Sequence, residues 1–154
     1  MVDSELHASP ATDDRLATRL LAPGTFPHLV DDCTALVAAE MKNKGMAMRT
    51  AFKLVQKTKP DILERTVREL MPEFIRAIEP CYTDYRARDL DDFRAYLVAH
   101  DTEVADSVLT VTDRRAERIA NRAIRSAYDR VRGRARREIV EAMPELATII
   151  AKHA

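Results

Sequence analysis

Apolar residues recur along this chain at intervals of three and four, the period that gathers them on one face of an α-helix. Leu29, Cys33, Leu36, Val37 and Met41 form one such stripe. Leu63, Val67, Leu70, Met71, Phe74, Ala77 and Ile78 form a second, and Ala135, Ile139, Ala142, Met143, Leu146, Ile149 and Ile150 a third. Nowhere does a period of two persist long enough for a strand. The pattern predicts an all-α fold, a single helical domain of about six to eight helices over 12–154, preceded by a flexible tail over 1–11.

Punctuation residues set the boundaries. A short helix over about 13–22 stops at Pro23-Gly24. The next opens at Pro27, where the missing N–H costs nothing, and ends at Gly45. Another spans about 46–57 with Met48, Ala51, Phe52 and Val55 inward, and a third follows Pro60. Residues 80–90, polar around Tyr82 and Tyr85, read as a linker. Helices of about 91–99, 102–112, 113–131 and 134–152 complete the chain, with Gly133 as the last break.

The chain also repeats itself. Ala47-Met48-Arg49-Thr50-Ala51-Phe52 returns as Ala123-Ile124-Arg125-Ser126-Ala127-Tyr128, and Glu69-x-Met71-Pro72-Glu73-Phe74 as Glu141-x-Met143-Pro144-Glu145-Leu146. The offset is 76 residues for the first element and 72 for the second, so about one helical turn is missing from the later copy. Self-similarity of this kind predicts two pseudo-twofold-related three-helix units, over about 28–79 and 102–151. The apolar phase runs unbroken through Pro72 and Pro144, which predicts a kink or short restart at each. Glu73 and Glu145 then meet the positive end of the restarted segment's dipole. From about Leu16 onward, with its A-[MI]-R-[TS]-A-[FY] elements and doubled Pro-Glu segments, the chain resembles a family of small all-helical proteins of high-GC bacteria whose function is unknown. That resemblance implies the same helical build and transfers no catalytic residue.

Composition narrows the function classes without choosing one. The 154 residues carry 25 basic and 25 acidic side chains, so no global field draws the protein to nucleic acid or an anionic membrane. No apolar run approaches a membrane span and no signal peptide precedes Arg15, which makes the cytoplasm the expected location. Two cysteines, Cys33 and Cys81, read as small buried hydrophobes.

Local charge is less even. Ten arginines lie between Arg114 and Arg137 against Glu117 and Asp129. Of these, Arg114, Arg118, Arg122, Arg125, Arg132 and Arg136 are the candidates for phosphates or an acidic partner. They fall around the helix and not on one stripe, and residues 84–106 carry an acidic excess that could face them. Nucleic-acid binding is therefore not the favoured reading.

Candidate metal ligands are His28, Asp32, His100 and Asp106, near the starts of the two related helices. Acidic residues there also suit the helix dipole. No cofactor is implied, because the chain holds no Gly-rich phosphate loop, nucleophile elbow or paired metal-binding histidines. Met41, Met46, Met48, Met71 and Met143 could line an adaptable groove, although core filling is the commoner use of such residues. The leading reading is a non-catalytic helical interaction or scaffold protein whose partner is another protein or a second copy. A binder of nucleic acid or acidic partners through 114–137 comes next, then an enzyme or metal-binding protein with a site between the repeats.

Overall fold

The predicted stripes become helices in the expected order: α1 (Leu16–Leu20), α2 (Phe26–Lys42), α3 (Met46–Thr58), α4 (Ile62–Ala87), α5 (Phe93–Ala99), α6 (Asp101–Glu117), α7 (Arg122–Glu141) and α8 (Met143–His153). The computed structural model describes residues 15–43 and 45–154, the side chains of 47, 48, 51, 52 and 55 apart. Among the described residues there is no strand, and no helix is long and apolar enough to cross a membrane. The tail expected over 1–11, and the inward placement of Met48, Ala51, Phe52 and Val55, lie outside the described residues.

One layer of contacts ties the two ends of the chain together. α2 packs on both α4 and α8, α5 lies along α8, and α6 bridges α4 and α7. Leu16, Leu20, Leu29, Ile75, Leu97 and Met143 are wholly enclosed where these helices meet. Each such side chain contributes about 1.5–3 kcal/mol over leaving it in water. A five-residue helix such as α1 has no stability of its own. Its place is fixed by burial of Leu16 and Leu20, and by the Glu79 carboxylate of α4, which accepts hydrogen bonds from the Leu16 and Ala17 backbone N–H groups at 2.9 Å each.

Three boundaries differ from the sequence reading. The expected linker is helical as far as Ala87, since α4 continues through both Pro72 and Pro80. Each proline leaves a carbonyl four residues back unpaired, at about 3 kcal/mol or more with the ring clash included. Those carbonyls belong to Arg68 and Arg76, both exposed residues, so water can reach that side of the helix. Beyond Pro80 the helix is held by an aromatic cluster. Phe93 lies 5.1 Å from Tyr82 and 4.9 Å from Tyr85, and Tyr96 lies 5.9 Å from Tyr85. Contacts of this kind contribute about 0.5–1.5 kcal/mol each beyond the area they bury, enough together to offset the proline.

The second difference concerns the doubled Met-Pro-Glu. Pro144 does sit at a restart, in the opening turn of α8 after a break at Ala142, with Glu145 in that first turn. At Pro72 there is no restart: the proline lies inside α4, the position of a kink, and Glu73 takes an ion pair with Arg115 at 3.0 Å. The third difference is Gly133, which does not break the helix. The chain turns at Arg118–Asn121, where the Asn121 side chain caps α7 by accepting from the N–H groups of Ala123 and Ile124. A side-chain cap of this type is worth about 1 kcal/mol, similar to what an interior glycine costs, so the helix starts at Asn121 and passes through Gly133.

Candidate functional site

The apolar stripes of α2, α4 and α8 do not close completely on one another. Between them lies a cavity of about 430 Å³, completed by Leu20 of α1, Val104 and Val108 of α6, and the C-terminal half of α7. Its floor is the α4 face bearing Leu63, Val67, Leu70 and Phe74, and its opposite wall is Leu29, Cys33, Leu36 and Val37 of α2. The third wall carries two small side chains among larger ones, Glu138, Ile139, Leu146 and Ile150. Ala135 and Ala142 occupy positions of α7 and its end where larger residues would fill the gap. Phe74, expected in the core, is half-buried and faces this cavity, as does Leu146, while Met71 and Met143 are buried as expected.

Polar groups are few in the lining: Thr66, the Cys33 thiol, and the carboxylates Glu40 and Glu138. Burial, with a smaller effect of neighbouring Asp32, pushes the Cys33 thiol up to about 12, and burial also raises Cys81. Both cysteines are free thiols and remain protonated at neutral pH, which suits packing and not nucleophilic attack. Glu138 is held at 3.1 Å by Arg134, one turn earlier on α7. Of the methionines nominated as a groove, Met41 and Met71 line the cavity, whereas Met46 is 75% exposed.

The basic candidates divide into two sets. Arg132 forms a two-pronged pair with Asp113, Nε to Oδ1 at 2.8 Å and Nη2 to Oδ2 at 2.9 Å. Arg136 grips Asp106 in the same way, at 2.7 and 3.2 Å. The Tyr128 hydroxyl donates to Asp113 at 2.7 Å and lies 2.6 Å from that of Thr112, so Tyr128 joins α7 to α6 at their surface and is only half-buried. The hydrogen bonds from Arg136 to Asp106, and from Arg132 and Tyr128 to Asp113, hold both carboxyls below the usual range. Arg114, Arg118, Arg122 and Arg125 are exposed and make no ion pair among the described residues.

The metal candidates are occupied with other partners or stand apart. His28 is exposed in the first turn of α2, while Asp32 accepts from His153 at 2.7 Å and Lys152 at 3.3 Å, clamping the end of α8 to α2. His100 stacks on Tyr96 with ring centroids 4.1 Å apart, and Asp106 belongs to Arg136. Among the described residues no group of three or more His, Cys, Asp or Glu side chains could hold a metal ion.

Sequence reading passed over Glu79, Glu40 and Glu138. A carboxylate that caps a helix 63 residues away leaves no local signature. The two glutamates could have been noticed as acids in the last turns of helices, where the dipole disfavours them. No curated protein and no solved structure matches the chain. Residues 16–154, nearly the whole helical domain, match the description "Family of unknown function (DUF6918)", and the chain belongs to that family.

Proposed function

We propose that this protein is a non-catalytic binding protein that holds a single-tailed apolar molecule in the cavity between α2, α4, α7 and α8. The observation that carries the reading is the cavity itself, about 430 Å³ with a lining that is apolar except at four positions. Ligand sites commonly occupy 300–1,000 Å³ with this balance of many apolar and few polar groups. The cavity is open to solvent past Val37 and Thr66, and its apolar lining offers few of the two to four polar partners that would hold a water in place.

The duplication fits the same picture. α2 and α6 each span 17 residues, α1 packs on α4 as α5 does on α8, and α4 meets α6 as α8 meets α2. Those exchanges support two pseudo-twofold-related copies with the cavity enclosed by helices from both. A second reading, a protein partner or second copy on the outer face of α7, is supported by Ile124 and Val131. They stand 53% and 47% exposed among the unpaired arginines. Phosphates at Arg114, Arg118, Arg122 and Arg125 remain the weaker version of that reading, since Arg132 and Arg136 are already neutralised.

Calorimetric titration with 1-octanol, 1-decanol and 1-dodecanol tests the cavity. Each methylene moved out of water is worth about 0.8 kcal/mol, so Kd should fall about fourfold per carbon until the space is full. Ala135→Phe and Ala142→Phe should each abolish binding while the helical circular dichroism stays unchanged. Absence of binding, or affinity independent of chain length, would remove the reading.

A further inference from the structure

The apolar stripe that lines the cavity at Ala135 runs on toward the start of α7, out of the core. Val131 lies one turn before Ala135 and Ile124 two turns before Val131, and the two stand 47% and 53% exposed. Positive charge surrounds this strip. Of the ten arginines between Arg114 and Arg137, Arg115, Arg132, Arg134 and Arg136 are paired with Glu73, Asp113, Glu138 and Asp106. The other six are exposed and make no ion pair among the described residues, and the stretch holds only two carboxylates, Glu117 and Asp129. The α7 of a second copy would set the same excess of arginine against this one. A surface that matches the strip is therefore acidic, with a few apolar side chains.

The chain carries such a segment. Residues 1–14, outside the described residues, hold Asp3, Glu5, Asp13 and Asp14 with no lysine or arginine, and Val2 and Leu6 flank the first two acids. The segment joins α1 at Arg15, and Leu20 of α1 lines the same cavity as Ala135. Glu5 and Asp3 precede Arg15 by ten and twelve residues, an extended reach of about 33–40 Å, against about 16 Å along the helix from Ala135 to Ile124. Independently of what the cavity holds, we propose that this N-terminal segment lies along the first half of α7 of its own chain. Val2 and Leu6 cover Ile124 and Val131, and Asp3 and Glu5 take places among Arg118, Arg122 and Arg125. The segment then competes with any acidic partner or phosphate for the same arginines, so the chain masks its own basic face.

Paramagnetic broadening in the full chain tests this. Cys33 and Cys81 are buried, so a nitroxide can be placed selectively on Ser4→Cys. It should at least halve the amide signals of Ile124 to Val131 relative to the same protein with the label reduced. At 1 M salt, where charges are screened beyond about 3 Å, the signals should recover. Asp3→Asn/Glu5→Gln, a change in the segment alone, should restore them too, as should Arg122→Glu/Arg125→Glu. If the arginine variant does not fold, the acidic variant and the salt series are sufficient. Broadening of Val67 and Phe74 instead would place the segment in the cavity. Broadening that appears when isotope-labelled chains without nitroxide are mixed with nitroxide-bearing chains without isotope would assign the segment to a second copy. Either result overturns the proposal, as does the absence of broadening on α7 or its persistence in the acidic variant and at high salt.

Discussion

Replacing Glu79 by Ala should detach α1. Two backbone N–H groups at the start of that helix donate to this one carboxylate, each at 2.9 Å and in a partly buried setting. Hydrogen bonds to a charged acceptor contribute about 1.5–3 kcal/mol each, but water replaces part of the loss at a half-buried site. A net cost of about 2–3 kcal/mol is therefore expected for the pair. In a protein of this size 1 kcal/mol moves the melting temperature by about 2–4 °C, so Glu79→Ala should melt roughly 4–12 °C lower. Glu79→Gln keeps one acceptor oxygen without the charge and should fall between the two. Thermal unfolding followed by circular dichroism gives the magnitude, and amide exchange at Leu16, Ala17 and Leu20 gives the location. The reasoning fails if Glu79→Ala melts within a degree of wild type, or if it is destabilised without faster exchange in α1.

Two further outcomes follow from local geometry. A methyl group built at Gly133 meets no atom within 4 Å and the backbone there has ordinary negative φ, so Gly133→Ala should raise stability by about 0.5–1 kcal/mol in urea unfolding. An unchanged or lower midpoint would contradict that. The carboxyls of Asp32, Asp84, Asp106 and Asp113 are held below the usual range, chiefly by hydrogen bonds from His153, Tyr96, Arg136 and Arg132 respectively. Because their folded-state values are depressed, the unfolded chain takes up protons first on acidification. The stability they contribute is complete above the unfolded value of about 4 and drains away as pH falls through the folded ones. The urea midpoint should therefore drop below about pH 4, less steeply at high salt, and a midpoint that rises on acidification would show the pairs to be without effect.

Helix type and order were legible because they depend on spacing. The Leu29 to Met41 stripe and Pro27 located α2 closely, and the restart at Pro144 followed from the unbroken apolar phase around it. What could not be read were outcomes decided by distant groups. Pro80 is a stop signal locally, yet Phe93 and Tyr96 carry the helix past it. Gly133 and Asn121 compete as boundaries, and only the cap geometry shows that Asn121 prevails. The two Met-Pro-Glu segments look alike in sequence and differ in structure, Pro72 lying inside α4 and Pro144 opening α8. The cavity was hidden for a related reason. An empty space depends on the difference between facing surfaces, and Ala135 alone does not reveal that its neighbours stop short of it.

The wall that contains Ala135 is also the one least secured by burial. None of the 20 residues of α7 is fully buried, and its main attachment is to α6 through Tyr128, Arg132 and Arg136. Segments with few enclosed apolar contacts open locally at lower free energy than the molecule as a whole. The consequence is kinetic. For the proposed ligand, local opening of α7 beside Ala135 and Ile139 offers a way in and out that needs no global unfolding of α2, α4 and α8. Residence time and the amide exchange of α7 then report on the same motion, and a ligand that slows one slows the other.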